Sequence, residues 1–357
     1  MVSLYKPFMP AELPELETIL HSGALAYGKW GKEFESKLRS FVGVENLMTT
    51  NTYAMSIQIA LTVLGLKPGD EVISSPMSCL ASNQPLNTFG LNVKWADIDP
   101  KTGTLCPDSV RKSITPNTKL IFHNHFCGYI GHTDEINAIG HEFGIPVIDD
   151  CVEAFGTKYK GNVAGNLGTD VTIFSFQTVR LPNTIDGGAV VFKDKNLYEA
   201  ALLARDFGIR RNIFRDENNE ISPLCDISTP GFGGTMSDMN SYIGCLQMDA
   251  LPELLAKQKA NAEKWSEEID LFKLNNRKDI EPNYWVYGIL SDNKVEDMLR
   301  FREQGFYASG VHLPNSYYSA FGNQGHHPGV LEFNNKFIAL PCGWWFEKKK
   351  KNGTGNH

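Results

Sequence analysis

The chain has 357 residues, 42% of them hydrophobic and 21% charged, with a formal net charge of −7. Such a composition suits an ordinary soluble globular protein with room for one large and one smaller domain, and it lacks the basic field that nucleic-acid binding needs. No apolar run approaches the roughly 20 residues of a membrane span, and Met1-Val2-Ser3-Leu4-Tyr5-Lys6-Pro7 lacks the apolar core of a signal peptide. A cytoplasmic location with no membrane partner is therefore expected. The seven cysteines are odd in number, dispersed and never in a CxxC pair, which argues against a disulfide framework and against a zinc site.

In chain order, the polar turn Asn51-Thr52-Tyr53 leads into an amphipathic helix pattern that runs to Leu61. Strand patterns are predicted at 71–74, 92–96, 119–122, 146–149, 171–175 and 189–192, with helix patterns between several of them. In one of these, 133–143, Thr133 is a candidate cap and Gly144 a candidate stop. This alternation predicts an α/β layer fold with a mostly parallel sheet. From Ser237 to about Trp265 the apolar spacing is helical, and this long helix is expected to link a large domain, 1–250, to a small C-terminal α/β domain, 251–346. The small domain would hold a strand at 284–290 and a helix near 295–303. Residues 347–357, rich in lysine and polar, are expected to be a solvated tail.

Three segments could carry chemistry. The helix opening at Thr52 and Tyr53 would present free backbone N–H groups that suit a phosphate, although a plain cap has the same appearance. The strand pattern 146–149 runs into adjacent carboxylates, Asp149 and Asp150, followed by Glu153. A carboxylate at a strand end can hold a pyridinium nitrogen protonated, as pyridoxal phosphate (PLP) requires; it can also be a metal ligand or a cap. Third, a strand ends at the Ser175 hydroxyl, a loop carries Arg180, and Gly187-Gly188 opens the next strand where a backbone must pass close to something.

Together these segments resemble the DegT/DnrJ/StrS family of PLP-dependent sugar aminotransferases. The resemblance runs in order from Ser22-Gly23 and Phe34-Glu35 through Pro68-Gly69-Asp70-Glu71-Val72-Ile73, His125-Phe126-Cys127-Gly128, Asp149-Asp150 and Asp186-Gly187-Gly188. It ends with Met236-Ser237-Asp238, Gln247, Gly310-Val311-His312 and Leu340-Pro341. It implies PLP fold type I and a homodimer with active sites at the subunit interface. It also implies PLP or pyridoxamine phosphate (PMP) as cofactor, a nucleotide-linked ketosugar as substrate and glutamate as amino donor.

Residue by residue, it implies that Thr52, Tyr53 and Ser175 take the phosphate and that Asp150 pairs with the pyridine nitrogen. Glu153 would lie near the cofactor's hydroxyl, Cys79 where the family lays an aromatic ring on the cofactor, and His312 with Tyr317 and Tyr318 along the substrate. The chain departs from the family pattern in three further places: at Cys79, at the loop Gly231-Phe232-Gly233-Gly234-Thr235-Met236, which lacks the family's Asn, and after Leu340-Pro341, where the lysine tail replaces a final helix.

The largest departure is Arg180, which stands where the family places its Schiff-base lysine. A guanidinium stays protonated at neutral pH, so it is neither an imine-forming amine nor an effective base. It is a good partner for phosphates and carboxylates. Three readings follow: an aminotransferase that has lost its lysine, a lysine-less PMP-dependent sugar dehydratase, and a non-catalytic homologue that binds PLP or a nucleotide sugar.

Overall fold

The protein is described by a computed structural model over residues 1–322 and 325–348. Its centre is a seven-stranded sheet in the order Leu47–Thr50, Gly188–Phe192, Val171–Ser175, Val147–Asp150, Thr118–Asn124, Glu71–Ser74, Asn92–Trp95. All neighbouring pairs are parallel except those made by Gly188–Phe192, which runs antiparallel to both of its neighbours. The strands Val147–Asp150 and Val171–Ser175 are buried along their whole length, as expected of a sheet covered on both faces.

One apolar layer includes Tyr53, Ile57 and Leu61 from helix Tyr53–Val63 together with Leu120, Ile148 and Ile173. A second holds Phe34 and Leu38 of helix Lys29–Val42 and Met248 and Leu251 of helix Asp238–Glu268 against Phe174 and Phe176. The two helices cross where Gly244 lets them approach, because a Cβ there would lie 2.7 Å from the Phe34 ring.

Helix Asp238–Glu268 is capped by Ser237, whose hydroxyl accepts from the Asn240 N–H. Asp238 accepts the N–H groups of Gly28 and Gly31 at 2.7 and 3.0 Å, which ties the glycine-rich opening of the chain to Met236-Ser237-Asp238. Beyond the helix, Phe272–Lys273, Tyr287–Leu290 and Phe337–Leu340 form an antiparallel three-stranded sheet. The N-terminal arm joins this part of the molecule: Val2 N–H donates to Gly305 O at 2.6 Å, and Tyr5 stacks on Trp285 at 4.5 Å.

Two local expectations are corrected. Helix Thr133–Phe143 does end at Gly144 in the left-handed conformation, but its N-cap is His132, not Thr133. His132 is held at 3.0 Å from Asp99, and this contact places the helix start one residue earlier. The strand expected at 284–290 begins only at Tyr287, since Asn283 turns inward and donates to the carbonyls of Glu153 and Phe155 at 2.8 and 3.0 Å. At the other end, Lys348 is buried over the Trp265 ring at 3.6 Å and bonded to Glu268 at 2.9 Å. The solvated tail expected from residue 347 therefore does not begin there, and residues 349–357 lie outside the described residues.

Candidate active site

The parallel strands deliver three polar residues to one edge of the sheet: Asn124, Asp150 and Ser175 are the last residues of their strands. Ligands in open α/β sheets bind at this carboxyl edge. A cavity of about 830 Å³ opens there, lined among others by Thr52, Tyr53, Cys79, Ser175, Arg180 and His312. The phosphate end is built by helix Tyr53–Val63, whose first turn carries unpaired N–H groups by its nature. The Thr52 hydroxyl caps that turn by accepting from the Met55 N–H at 3.1 Å. Gly188 is what lets the helix come so close to the sheet: a Cβ there would stand 3.0 Å from Tyr53 Cα and 2.5 Å from Ser56 Oγ.

Asp150 does not itself line the cavity; it lies behind the lining residues Tyr53 and Val152. Its carboxylate accepts from Tyr53 O–H at 2.7 Å, from Asn124 Nδ2 at 2.7 Å and from Val152 N–H at 3.2 Å. Burial pushes its pKa up by more than the hydrogen bonds from Ser82, Tyr53 and Asn124 bring it down. Glu153 behaves in the opposite way. Burial raises it, but the nearby His312 and Arg180 and the Cys127 N–H outweigh burial and hold it below the ordinary carboxylate value.

Glu153 is the hub of the charged array. His312 Nε2 donates to its Oε1 at 2.9 Å, Arg180 approaches the same oxygen at 3.4 Å, and Cys127 N–H donates to Oε2 at 2.8 Å. The Arg180 guanidinium lies 4.6 Å from the centre of the Trp285 ring, and its buried Nε has no hydrogen-bond partner among the described residues. A buried donor of this kind is costly unless a ligand satisfies it. Cys79 borders the cavity, its thiol pushed up by burial and then by Glu153. Tyr317 and Tyr318 stand apart from the cavity lining: Tyr317 is 58% exposed, and the segment is pinned from beneath by Asn315, whose Nδ2 donates to Ser78 O at 3.0 Å.

Beneath the edge, Asp149 accepts from Thr169 Oγ1 at 2.5 Å and lies 3.2 Å from His123 Nδ1 and 3.3 Å from His125 Nε2. The Gly131 N–H donates to His125 Nδ1 at 3.1 Å, which makes Nε2 the protonated nitrogen that faces Asp149. These three buried residues are close enough to share a small cation, and His123 Nε2 and His125 Nε2 are buried without a hydrogen-bond partner among the described residues. Burial would raise Asp149, yet the two imidazoles hold it well below the usual carboxylate range. His123 is lowered by burial from 6.5 to about 4.

Both shifts act in the same direction. As pH falls below 6.5 the unfolded chain binds a proton at His123 that the folded protein refuses until about pH 4, and Asp149 loses its stabilisation only at still lower pH. From His123 alone, stability should fall by about 2 kcal/mol between pH 7 and pH 4.5. Urea unfolding at pH 7 and pH 4.5 checks this: the drop should shrink by that amount in His123→Gln, and an identical drop in the two proteins would refute it.

The profile of the DegT/DnrJ/EryC1/StrS aminotransferase family matches residues 9–347. The chain belongs to the DegT/DnrJ/EryC1/StrS aminotransferase family. Its members are PLP-dependent sugar aminotransferases that work with PLP and PMP. Among solved structures, this family member is similar to the sugar aminotransferase CalS13 from Micromonospora echinospora, at 26% identity and a TM-score of 0.90 over 98% of this chain and 96% of that one. It is likewise similar to AtS13 from Actinomadura melliaura, at 27% identity and a TM-score of 0.90 over the same shares. The putative sugar aminotransferase Spr1654 from Streptococcus pneumoniae in its PMP form shares the fold, with 22% identity and a TM-score of 0.84 over 97% and 96% of the two chains.

The DegT-family site contains residues that motif reading does not find. Ser82 and Asn124 support Asp150, and Trp285 and Tyr5 form one wall of the cavity. Asn124 could have been found as the last residue of a strand neighbouring that of Asp150. Trp285 and Tyr5 carry no local signal, because only the closure of the N-terminal arm onto the small sheet brings them to Arg180.

Proposed function

We propose that the protein is a PLP/PMP-dependent aminotransferase of a nucleotide-activated ketosugar, with glutamate as amino donor, and that it holds its cofactor without a covalent bond. The observation that carries this reading is the position of Arg180: its guanidinium borders the cavity, paired with Glu153 and lying over Trp285. The residues fit the cofactor. The helix opening at Thr52 and Tyr53 and the Ser175 hydroxyl would take its phosphate, Asp150 its ring nitrogen, and Glu153 with Arg180 the edge bearing its hydroxyl. PLP or PMP, when bound, supplies a carbonyl or an amine on an electron-accepting ring.

Arg180 keeps its proton throughout and orients anionic groups. His312 takes the part of proton carrier, its imidazole oriented by the bond from Nε2 to the Glu153 carboxylate. Cys79, Val152 and Trp285 give the cavity an apolar lining that limits water around these groups. A cytoplasmic homodimer completes the reading, with the open side of the cavity facing the partner subunit.

His312 also favours a second reading, a PMP-dependent sugar dehydratase, because it is an imidazole in a cavity with no lysine in its lining among the described residues. Incubating the protein with PMP and a nucleotide-linked ketosugar, followed by mass spectrometry, separates the two. Gain of nitrogen by the sugar supports the aminotransferase, and loss of oxygen supports the dehydratase. PLP is expected to leave completely on dialysis, with no adduct trapped by borohydride; a trapped adduct on any lysine would overturn the non-covalent reading.

A further inference from the structure

Tyr53 is the first residue of helix Tyr53–Val63, so its backbone belongs to the phosphate end of the cavity. Its side chain reaches the other end. The phenol O–H donates to Asp150 Oδ1 at 2.7 Å, and Ser82 Oγ lies 3.1 Å from the phenol oxygen. A phenol has one hydrogen to give, and of its two acceptors Asp150 Oδ1 is the nearer. Asn124 fills the other carboxylate oxygen from within the sheet. Of the side chains that hydrogen-bond to Asp150, only that of Tyr53 comes from a residue lining the cavity.

We propose that Tyr53 is an internal stand-in for the cofactor ring: its O–H occupies on Asp150 the place of a pyridinium N–H, and cofactor binding must swing it aside. The inference rests on the role proposed above for Asp150. A buried carboxylate left short of donors is costly, and an incoming ring could relieve that cost. Here the phenol relieves it beforehand, so the cofactor gains only the difference between two hydrogen bonds. Tyr53 is therefore a specificity-determining residue that sets how tightly the coenzyme is held.

The test is equilibrium binding of PMP to the full-length protein, followed by the coenzyme's own fluorescence, for the parent, Tyr53→Phe, Tyr53→Thr and Asp150→Asn. A hydrogen bond to a charged group corresponds to about tenfold or more in binding, so Tyr53→Phe should bind PMP more tightly than the parent by that factor. Its cofactor-free form should also melt at a lower temperature. Tyr53→Thr, which removes the ring as well, should bind at least as tightly as Tyr53→Phe, and Asp150→Asn should weaken binding. If both Tyr53 variants bind no more tightly than the parent while Asp150→Asn still weakens binding, the stand-in is refuted and the role of Asp150 survives. If Asp150→Asn leaves binding unchanged, that role falls and the stand-in with it.

Discussion

Arg180→Lys should raise the rate of amino transfer by about two to four orders of magnitude, the usual contribution of a positioned acid–base group, and should bring a visible-edge absorbance band that borohydride removes. The guanidinium neither gives up its proton nor forms an imine; a lysine amine at this position can do both. The neighbourhood limits the gain. Glu153 accepts from His312 and lies 3.4 Å from the Arg180 guanidinium, and the same carboxylate would hold a lysine in its charged form. The double variant Arg180→Lys, Glu153→Gln should therefore be faster than the single one, with its rate optimum at lower pH. Pre-steady-state measurement with PMP and a ketosugar reads both effects. An Arg180→Lys protein with no new band and an unchanged rate would show that residue 180 does not face the reacting carbon.

Glu35→Ala should destabilise the protein by about 3–5 kcal/mol, the range found when one partner of a buried ion pair is removed. Glu35 and Arg205 are only 3% and 5% exposed and meet at 2.6 Å. The same carboxylate accepts Thr49 N–H at 2.9 Å, Thr49 Oγ1 at 3.0 Å and Tyr27 O–H at 2.7 Å, while Arg205 also donates to Thr49 O at 2.8 Å. One side chain thus joins the first long helix, the edge strand Leu47–Thr50 and helix Lys195–Arg205. Alanine would leave a guanidinium buried without its counter-charge and strand several donors. Removing both charges with Glu35→Leu and Arg205→Leu should recover most of the loss, because the second change removes the unpaired cation. Chemical denaturation of the three proteins tests this, and a loss below about 1 kcal/mol in Glu35→Ala, the scale of an exposed pair, would refute it.

These two sites mark what local sequence can and cannot convey. The strands Glu71–Ser74 and Val171–Ser175 were expected residue for residue, because β-branched runs buried on both faces leave a pattern that needs no tertiary information. The edge strand Leu47–Thr50 escaped, since four residues without alternation carry no period and its order comes from pairing with Gly188–Phe192. Phe34-Glu35 could be recognised as a motif, yet its physical meaning lies in Arg205, 170 positions away. In the cavity, the order of motifs was enough to nominate Thr52, Ser175 and Arg180. It could not show where the Tyr53 side chain goes, because that depends on an acceptor 97 residues downstream. His312 reaches Glu153 across 159 residues for the same reason.

The stack formed by Tyr5, Trp285 and Arg180 has an optical consequence. The indole is clamped by Tyr5 at 4.5 Å on its ring and by the hydrogen bond from Nε1 to Val179 O at 3.0 Å, so the nearby mobile charge is the guanidinium at 4.6 Å. An anion that draws Arg180 away changes the field on one fixed chromophore. Trp285 emission, isolated by subtracting a Trp285→Phe protein, therefore reports arrival of the ligand without any label and without turnover.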